Sequence, residues 1–228
     1  MKLAALFLVP VAAFAQDKTE LIGKVGTRAA LLILHSAERA DGSRQVAGEY
    51  IILPTLARRY VEGERSPALG VTVLKEGTAP ILFGRPGTGE LRGTWRDGVF
   101  RGTRFGSGGQ RREEFDFREE FPALDRYSAT VRCEAKDGRH QTRLALSVEK
   151  GALKGLEWRS VDPDGQACAL SAVEQRPMRG GLRFIAGGCG ITLRDVGPFM
   201  VLRAEHCAAY CDMGTVFIDR RGYCELLP

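Results

Sequence analysis

Glycine-centred turn signals recur along this chain and separate short apolar runs, and this pattern restricts the fold more than any other feature. Glycine accounts for 28 of the 228 residues, well above its usual share of about 7%. The turn signals return at intervals of roughly eight to twelve residues, a spacing typical of meanders, sandwiches and barrels. They are Asp41-Gly42, Glu62-Gly63, Glu76-Gly77, Asp97-Gly98, Asp137-Gly138, Asp164-Gly165 and Gly180-Gly181. The sequence therefore predicts an all-β fold.

The cysteines divide the chain into two parts. All six lie in the second half, at Cys133, Cys168, Cys189, Cys207, Cys211 and Cys224. The charged, proline-containing segment 118–123 is a candidate linker between the parts. We predict an N-terminal β-domain over residues 16–122 and a cysteine-rich β-domain over 126–228. Both are expected to be antiparallel meander, barrel or sandwich units, with the second stabilised by disulfides.

The N-terminus has the pattern of an export signal. Lys2 precedes an apolar segment, and Ala13-Phe14-Ala15 supplies the small residues that favour cleavage. The apolar segment is shorter than the ~20 residues of a membrane span. We predict a signal peptide over residues 1–15 that is cleaved after Ala15, a periplasmic or secreted product and no transmembrane segment.

Export favours disulfides over metal binding for the cysteines. Six cysteines allow ~15 pairings, and the sequence does not choose between them. No Cys-x-x-Cys pair is present, and only His206-Cys207 with Cys211 forms a local cluster of metal-ligand types. We expect three disulfides, no metal site and no cofactor.

The Asp137-Gly138 signal predicts a hairpin with a two-residue turn. Because side chains alternate across a strand, one face of this hairpin is apolar and includes Cys133, where a disulfide could fix the sheet. The predicted pairs are Val131 with Leu144, Ala129 with Leu146, Tyr127 with Val148, Arg132 with Arg143 and Glu134 with Gln141.

The Asp97-Gly98 signal predicts a second hairpin, and one face of this hairpin is rich in arginine. Its apolar face pairs Trp95 with Phe100, which we assign to the core. Its other face carries Arg92, Arg96 and Arg101, with Arg85 and Arg104 nearby, and these five are the candidate binding residues. Arginine binds carboxylate and phosphate through its planar fork. The alternative is an ordinary charged strand face that the acidic stretch 113–120 neutralises.

Catalytic signals are weak. Gly106-Ser107-Gly108-Gly109 is predicted to be a loop, and Gly187-Gly188-Cys189-Gly190 precedes a strand, not a phosphate-binding helix. His206 is a candidate base, and Asp219 belongs either to an active-site turn or to a salt-bridged hairpin tip. The net charge of +5 and the lack of a recognition motif argue against nucleic-acid binding.

Two resemblances bear on function. Gly48-Glu49-Tyr50 and Leu91-Arg92-Gly93-Thr94-Trp95 resemble blocks of a glycine-punctuated β-domain of bacterial envelope proteins. The stretch from Arg203 to Cys211 is similar to small periplasmic domains that include lysozyme inhibitors. We expect a noncatalytic envelope protein that binds an anionic envelope polymer or a protein partner. A lysozyme inhibitor and an envelope hydrolase are the alternatives, and the oligomeric state is left open.

Overall fold

The described residues form eighteen strands and no α-helix. The computed structural model describes residues 17–39, 42–53, 55–66, 70–79, 87–109, 112–137, 140–161, 164–172, 174–176, 178–205, 207, 211 and 215–227. The predicted signal peptide, Arg85 and His206 lie outside these residues. The all-β prediction is confirmed.

The first eight strands form a closed antiparallel barrel. They are β1 (Asp17–Val25), β2 (Arg28–Glu38), β3 (Arg44–Ile52), β4 (Ala57–Ser66), β5 (Val71–Gly77), β6 (Gly89–Arg96), β7 (Val99–Gly106) and β8 (Arg112–Arg118). Each strand pairs with the next, and β1 pairs with β8 through registers such as Val25 with Phe115. Inside, the ring centroid of Phe115 lies 4.7 Å from Phe100 and 5.9 Å from Phe117. An eight-stranded barrel is narrow enough for side chains to fill it.

Several inward positions of the barrel are glycines, and close contact between strands requires them. A Cβ atom on Gly63 would lie 1.9 Å from the carbonyl oxygen of Val73, and one on Gly23 would lie 1.9 Å from that of Asp116. Glycine inside a strand permits such an approach and the sharp bending that closes a small barrel. The prediction of a turn at Glu62-Gly63 is therefore wrong, because this pair lies within β4.

The hairpin predicted at Asp97-Gly98 is confirmed. Both turn residues have positive φ, 51° and 73°, as a type I′ turn requires. Trp95 pairs with Phe100, as expected, and Gly93 pairs with Gly102. The two rings stack with centroids 5.6 Å apart, and Phe100 belongs to the barrel core.

The cysteine-rich half forms two further antiparallel sheets. The four-stranded sheet contains β9 (Ala129–Asp137), β10 (His140–Glu149), β11 (Ala152–Val161) and β12 (Ala167–Ala172). The six-stranded sheet contains β13 (Glu174–Arg176), β14 (Leu182–Ala186), β15 (Cys189–Asp195), β16 (Phe199–Glu205), β17 (Thr215–Asp219) and β18 (Cys224–Leu227). Their facing sides share one apolar core, which includes Trp158 and Phe184.

Three disulfides join the cysteines, as predicted. The pairs are Cys133 with Cys224, Cys168 with Cys211 and Cys189 with Cys207. The first pair links β9 to β18, one strand from each sheet. Cys133 thus lies on the apolar face, where it was expected, and its disulfide connects the two sheets.

The register predicted for the β9–β10 hairpin is wrong by two residues. Leu144 pairs with Cys133 and Leu146 with Val131, because the ladder extends to Asp137 and His140. A shift of two keeps every side chain on its predicted face. It also places Arg143 opposite Glu134, and these two form a salt bridge of 3.1 Å. Opposite charges now face each other where the predicted register paired Arg143 with Arg132.

The barrel packs against the six-stranded sheet. Leu31 and Ile33 of β2 point out of the barrel and share a buried cluster with Val201 and Phe217. The continuous apolar run of β2 is explained by this contact, since its alternate residues face the barrel core and the second unit. The connecting segment is anchored as well, because Phe121 belongs to the same cluster and is 5% exposed.

Candidate functional site

The predicted arginine surface exists on the outside of the barrel. Arg92 and Arg96 lie on β6 and Arg101 lies on β7, and all three are exposed. They project outward because Leu91, Gly93 and Phe100, which alternate with them, face the interior. Arg96 forms no ion pair with any residue that the structure describes. Arg85 cannot be placed, since it lies outside the described residues.

Neighbouring acids partly neutralise this surface. Arg101 donates two hydrogen bonds to Oδ2 of Asp116, at 2.8 and 2.6 Å. Partial burial opposes ionisation of Asp116, but hydrogen bonds from Arg118 and Arg101 lower its pKa below the usual value. Arg92 similarly donates to Glu90 at 2.5 Å. The acidic stretch does fold onto the arginines, most directly at Arg101.

Arg104 does not share this surface, because it points into the barrel. Its Nε and Nη2 atoms each donate to the Glu76 carboxylate at 2.7 Å. Its Nη1 donates to Glu113 at 2.8 Å, and Tyr50 donates its hydroxyl to Glu76 at 2.6 Å. The guanidinium is thus engaged inside the barrel. Grouping Arg104 with the outward arginines is corrected by this placement.

An open concavity of about 1130 Å³ lies on the outside of the barrel, and Arg92 is part of its lining. Its lining includes outward side chains of β4 to β8 and the glycines Gly63, Gly89 and Gly106. The volume slightly exceeds the usual range for small-molecule sites. An extended or branched ligand therefore suits it better than a single small group.

The concavity contains an aromatic ring with two arginines beside it. The guanidinium carbon of Arg92 lies 5.4 Å from the Phe105 ring centroid, and that of Arg112 lies 5.6 Å away. These separations are within the range of cation–π attraction. We call Arg92, Phe105 and Arg112 the Arg–Phe–Arg cluster. Arg112 forms no ion pair with any described residue, so its charge is available to a ligand.

Sequence reasoning found Arg92 but not Phe105. A signal was present, since Phe105 follows Arg101 and Thr103 at alternate positions and so shares their outward face. An outward aromatic residue among arginines is therefore readable from the strand pattern. Arg112 could not be joined to the pair in the same way, because that required the pairing of β7 with β8.

Of the two candidate catalytic residues, Asp219 lies within the described residues. Oδ1 of Asp219 accepts hydrogen bonds from the backbone N–H groups of Arg221 and Tyr223, at 2.8 and 2.9 Å. Asp219 therefore holds a hairpin tip together through backbone hydrogen bonds, and the salt bridge at this tip joins Arg220 to Asp195. Within the described ranges, no group of three or more His, Cys, Asp or Glu side chains is placed to hold a metal ion.

Comparisons of the chain with protein-family models, curated proteins and solved structures give no match. Among the residues described, no helix is long and apolar enough to span a membrane.

Proposed function

We propose that this chain is an exported, noncatalytic binding protein of the bacterial envelope, and that it holds an anionic polysaccharide in the barrel concavity. The observation that carries the proposal is the Arg–Phe–Arg cluster, in which two guanidinium groups flank one aromatic ring. The three disulfides support export, because such bonds persist in oxidising compartments.

The chemistry of the cluster suits an acidic sugar. Arginine binds carboxylate or phosphate oxygens through two parallel N–H donors. An aromatic side chain adds apolar contact area for the C–H groups of a sugar. Arg92 and Arg112 would hold the acidic groups while Phe105 contacts the ring between them.

Binding of defined polymers tests the proposal. The purified chain with its disulfides formed is titrated with polygalacturonate, with polyphosphate and with neutral dextran at low salt. We expect binding of polygalacturonate and none of dextran, with the affinity falling as salt rises. Failure of polygalacturonate to bind at low salt, or binding of polyphosphate alone, would overturn the proposal.

Single substitutions locate the site. Arg92→Glu and Arg112→Glu should each weaken binding about tenfold or more, since reversal of one contacting charge costs more than its removal. Phe105→Ala should weaken binding without changing its salt dependence. Arg126→Glu is the matched control, because Arg126 is exposed on the connector. An equal loss in Arg126→Glu would show that only net charge matters.

A second candidate function, inhibition of a lysozyme, is favoured by the β17–β18 hairpin tip. Arg220 fixes this tip, since its guanidinium donates to Asp195 at 2.7 Å and to the Gly197 carbonyl at 2.5 Å. Tyr223 is 73% exposed, and rigid tyrosine and arginine side chains dominate many protein interfaces. The tip is thus a preorganised element that could enter a cleft.

Lysis of cell walls by several lysozyme types, with and without the purified chain, tests this second function. Inhibition that is lost in Arg221→Ala and in Tyr223→Ala, but kept in Arg126→Ala, would support it. No inhibition at micromolar excess would exclude these lysozymes as partners.

A further inference from the structure

A second groove lies on the cysteine-rich half, on the outer face of the four-stranded sheet. Its volume is about 420 Å³, within the range of small-molecule sites. We call it the β9–β11 groove, since its lining comes from these three strands. Its charged side chains are Arg132, Glu134, Arg143, Glu157 and Arg159.

The position of two arginines in this groove lowers the stability of the sheet. Arg143 and Arg159 are direct partners in the β10–β11 ladder, and like charges directly opposite each other destabilise a sheet. Glu134 offsets one of them through a single contact to Arg143 at 3.1 Å, in which both side chains are 71% exposed. An exposed pair of this kind contributes little. Arg159 is left beside a like charge.

The third arginine approaches the same spot from β9. Arg132 is the ladder partner of Ala145, and Ala145 is the ladder partner of Glu157. The small side chain of Ala145 leaves a depression with Arg132 and Glu157 on either side, and Arg143 and Arg159 lie two positions along the β10–β11 ladder. Neither Arg132 nor Arg159 forms an ion pair with any residue that the structure describes. Two guanidinium groups are therefore available to one ligand.

We propose that the β9–β11 groove binds a terminal phosphate group, as in a phosphomonoester. Such a group carries close to two negative charges at neutral pH and has three acceptor oxygens. It can accept hydrogen bonds from arginines on different strands at once, whereas a carboxylate has two oxygens and matches one guanidinium fork. A dianion also relieves the repulsion between Arg143 and Arg159. This inference is independent of the barrel concavity.

Titration with glycerol 3-phosphate tests the proposal. The full disulfide-bonded chain is followed by NMR at pH 7.5 and constant ionic strength, with acetate and dimethyl phosphate as monoanionic controls. Amide shifts of Ala145 and Arg159 should change with glycerol 3-phosphate and much less with the controls. Equal effects of acetate, equal effects of dimethyl phosphate, or changes confined to other regions would each overturn the proposal.

Variants distinguish specific binding in the groove from nonspecific attraction by the positive charge of the protein. Arg159→Ala should weaken binding about tenfold, and Arg159→Lys less, because lysine keeps the charge without the planar fork. Glu134→Gln should strengthen binding about two- to threefold, because it removes a competing carboxylate. Arg176→Ala is the control, since Arg176 is an exposed arginine paired with Glu174 on the other sheet. All these positions are exposed, so unchanged circular dichroism is expected. Equal weakening by Arg159→Ala and Arg176→Ala would contradict the proposal.

Discussion

Both carboxylate oxygens of Glu76 accept hydrogen bonds from the guanidinium of Arg104, each at 2.7 Å, inside the barrel. Glu76 is fully buried, and Tyr50 donates a third hydrogen bond to it. The bond to Glu76 is the main reason that the pKa of Arg104 is raised, and burial raises the pKa of Tyr50. Glu76, Arg104 and Tyr50 thus connect β5, β7 and β3 across the barrel interior.

Removing one partner of this pair should destabilise the barrel strongly. Glu76→Gln removes the main partner of the Arg104 charge and leaves it with Glu113, and breaking a buried pair in this way costs about 3–5 kcal/mol. The double substitution Glu76→Leu with Arg104→Met should cost less than the single one, because it removes the guanidinium together with its main carboxylate, while Glu113 keeps its pair with Arg28. Urea unfolding measures both changes. Glu90→Gln, which removes an exposed partner of Arg92, should change the free energy of unfolding by less than about 1 kcal/mol. A single Glu76 variant as stable as Glu90→Gln would contradict this interpretation.

The Glu76–Arg104 pair also shows what could not be predicted from sequence. Strand alternation places Arg104 on the same face as Trp95 and Phe100, so its inward direction was readable. Its partner was not, because β5 and β7 are not neighbours and their side chains meet only when eight strands close into a barrel. The β9–β10 register failed for a related reason, since alternation fixes faces but leaves shifts of two residues unresolved. Turn signals and apolar runs were sufficient for the fold class, whereas the disulfide pairing required the relative placement of two sheets.

Acidification should weaken the contact between the barrel and the six-stranded sheet. Glu20 of β1 lies within 3.0 Å of cationic nitrogens on Lys18, Arg194 and Arg203. Burial alone would raise its pKa, but the charge of Lys18, with those of Arg203 and Arg194, lowers the pKa of Glu20 below its usual value. This contribution is therefore complete above the unfolded-state pKa of about 4.3 and is lost as pH falls through the lower folded value.

Urea unfolding between pH 3 and pH 7 measures this effect. Glu20→Gln should lower the free energy of unfolding at pH 7 by roughly 3 kcal/mol and should flatten its dependence on pH below 5. Glu149→Gln is the control, because Glu149 is 61% exposed in its pair with Lys154. Parallel pH curves for the wild type and Glu20→Gln would refute the assignment.

Phe121 should couple the barrel to the second unit. Its ring is buried between them and lies 4.2 Å from the Arg194 guanidinium carbon. Phe121→Ala should lower the free energy of unfolding by about 3–5 kcal/mol and should expose the connector to proteases. Limited proteolysis with mapping of the cleavage site measures this exposure. Phe105→Ala, at a partly buried ring outside this cluster, should leave the connecting segment protected. Equal cleavage in both variants would show that Phe121 does not anchor the segment.

The Cys133–Cys224 disulfide, which joins the two sheets, should contribute more to stability than the Cys189–Cys207 disulfide, which closes the shortest loop. Cys133 and Cys224 are 91 residues apart, whereas Cys189 and Cys207 are 18 apart. Even with the Cys168–Cys211 bond intact, Cys133–Cys224 closes a longer loop than Cys189–Cys207 does. The chain-entropy relation therefore assigns a stabilisation of about 4 kcal/mol to Cys133–Cys224 and about 3 kcal/mol to Cys189–Cys207. Thermal unfolding of the two double-alanine variants should preserve this order. The reverse order would indicate that packing around Cys189, not loop closure, dominates.

The inward glycines of the barrel should tolerate no side chain. Gly63→Ala would place Cβ 1.9 Å from the Val73 carbonyl oxygen, so β4 and β5 must separate or shift. Overpacking of this kind costs about 1–3 kcal/mol. Gly155→Ala is a matched control within a strand, because nothing lies within 4 Å of its added Cβ, and it should raise stability by about 0.4–1 kcal/mol. Thermal unfolding of the two variants should therefore move in opposite directions. Equal tolerance at both positions would mean that strand bending at Gly63 does not depend on its missing side chain.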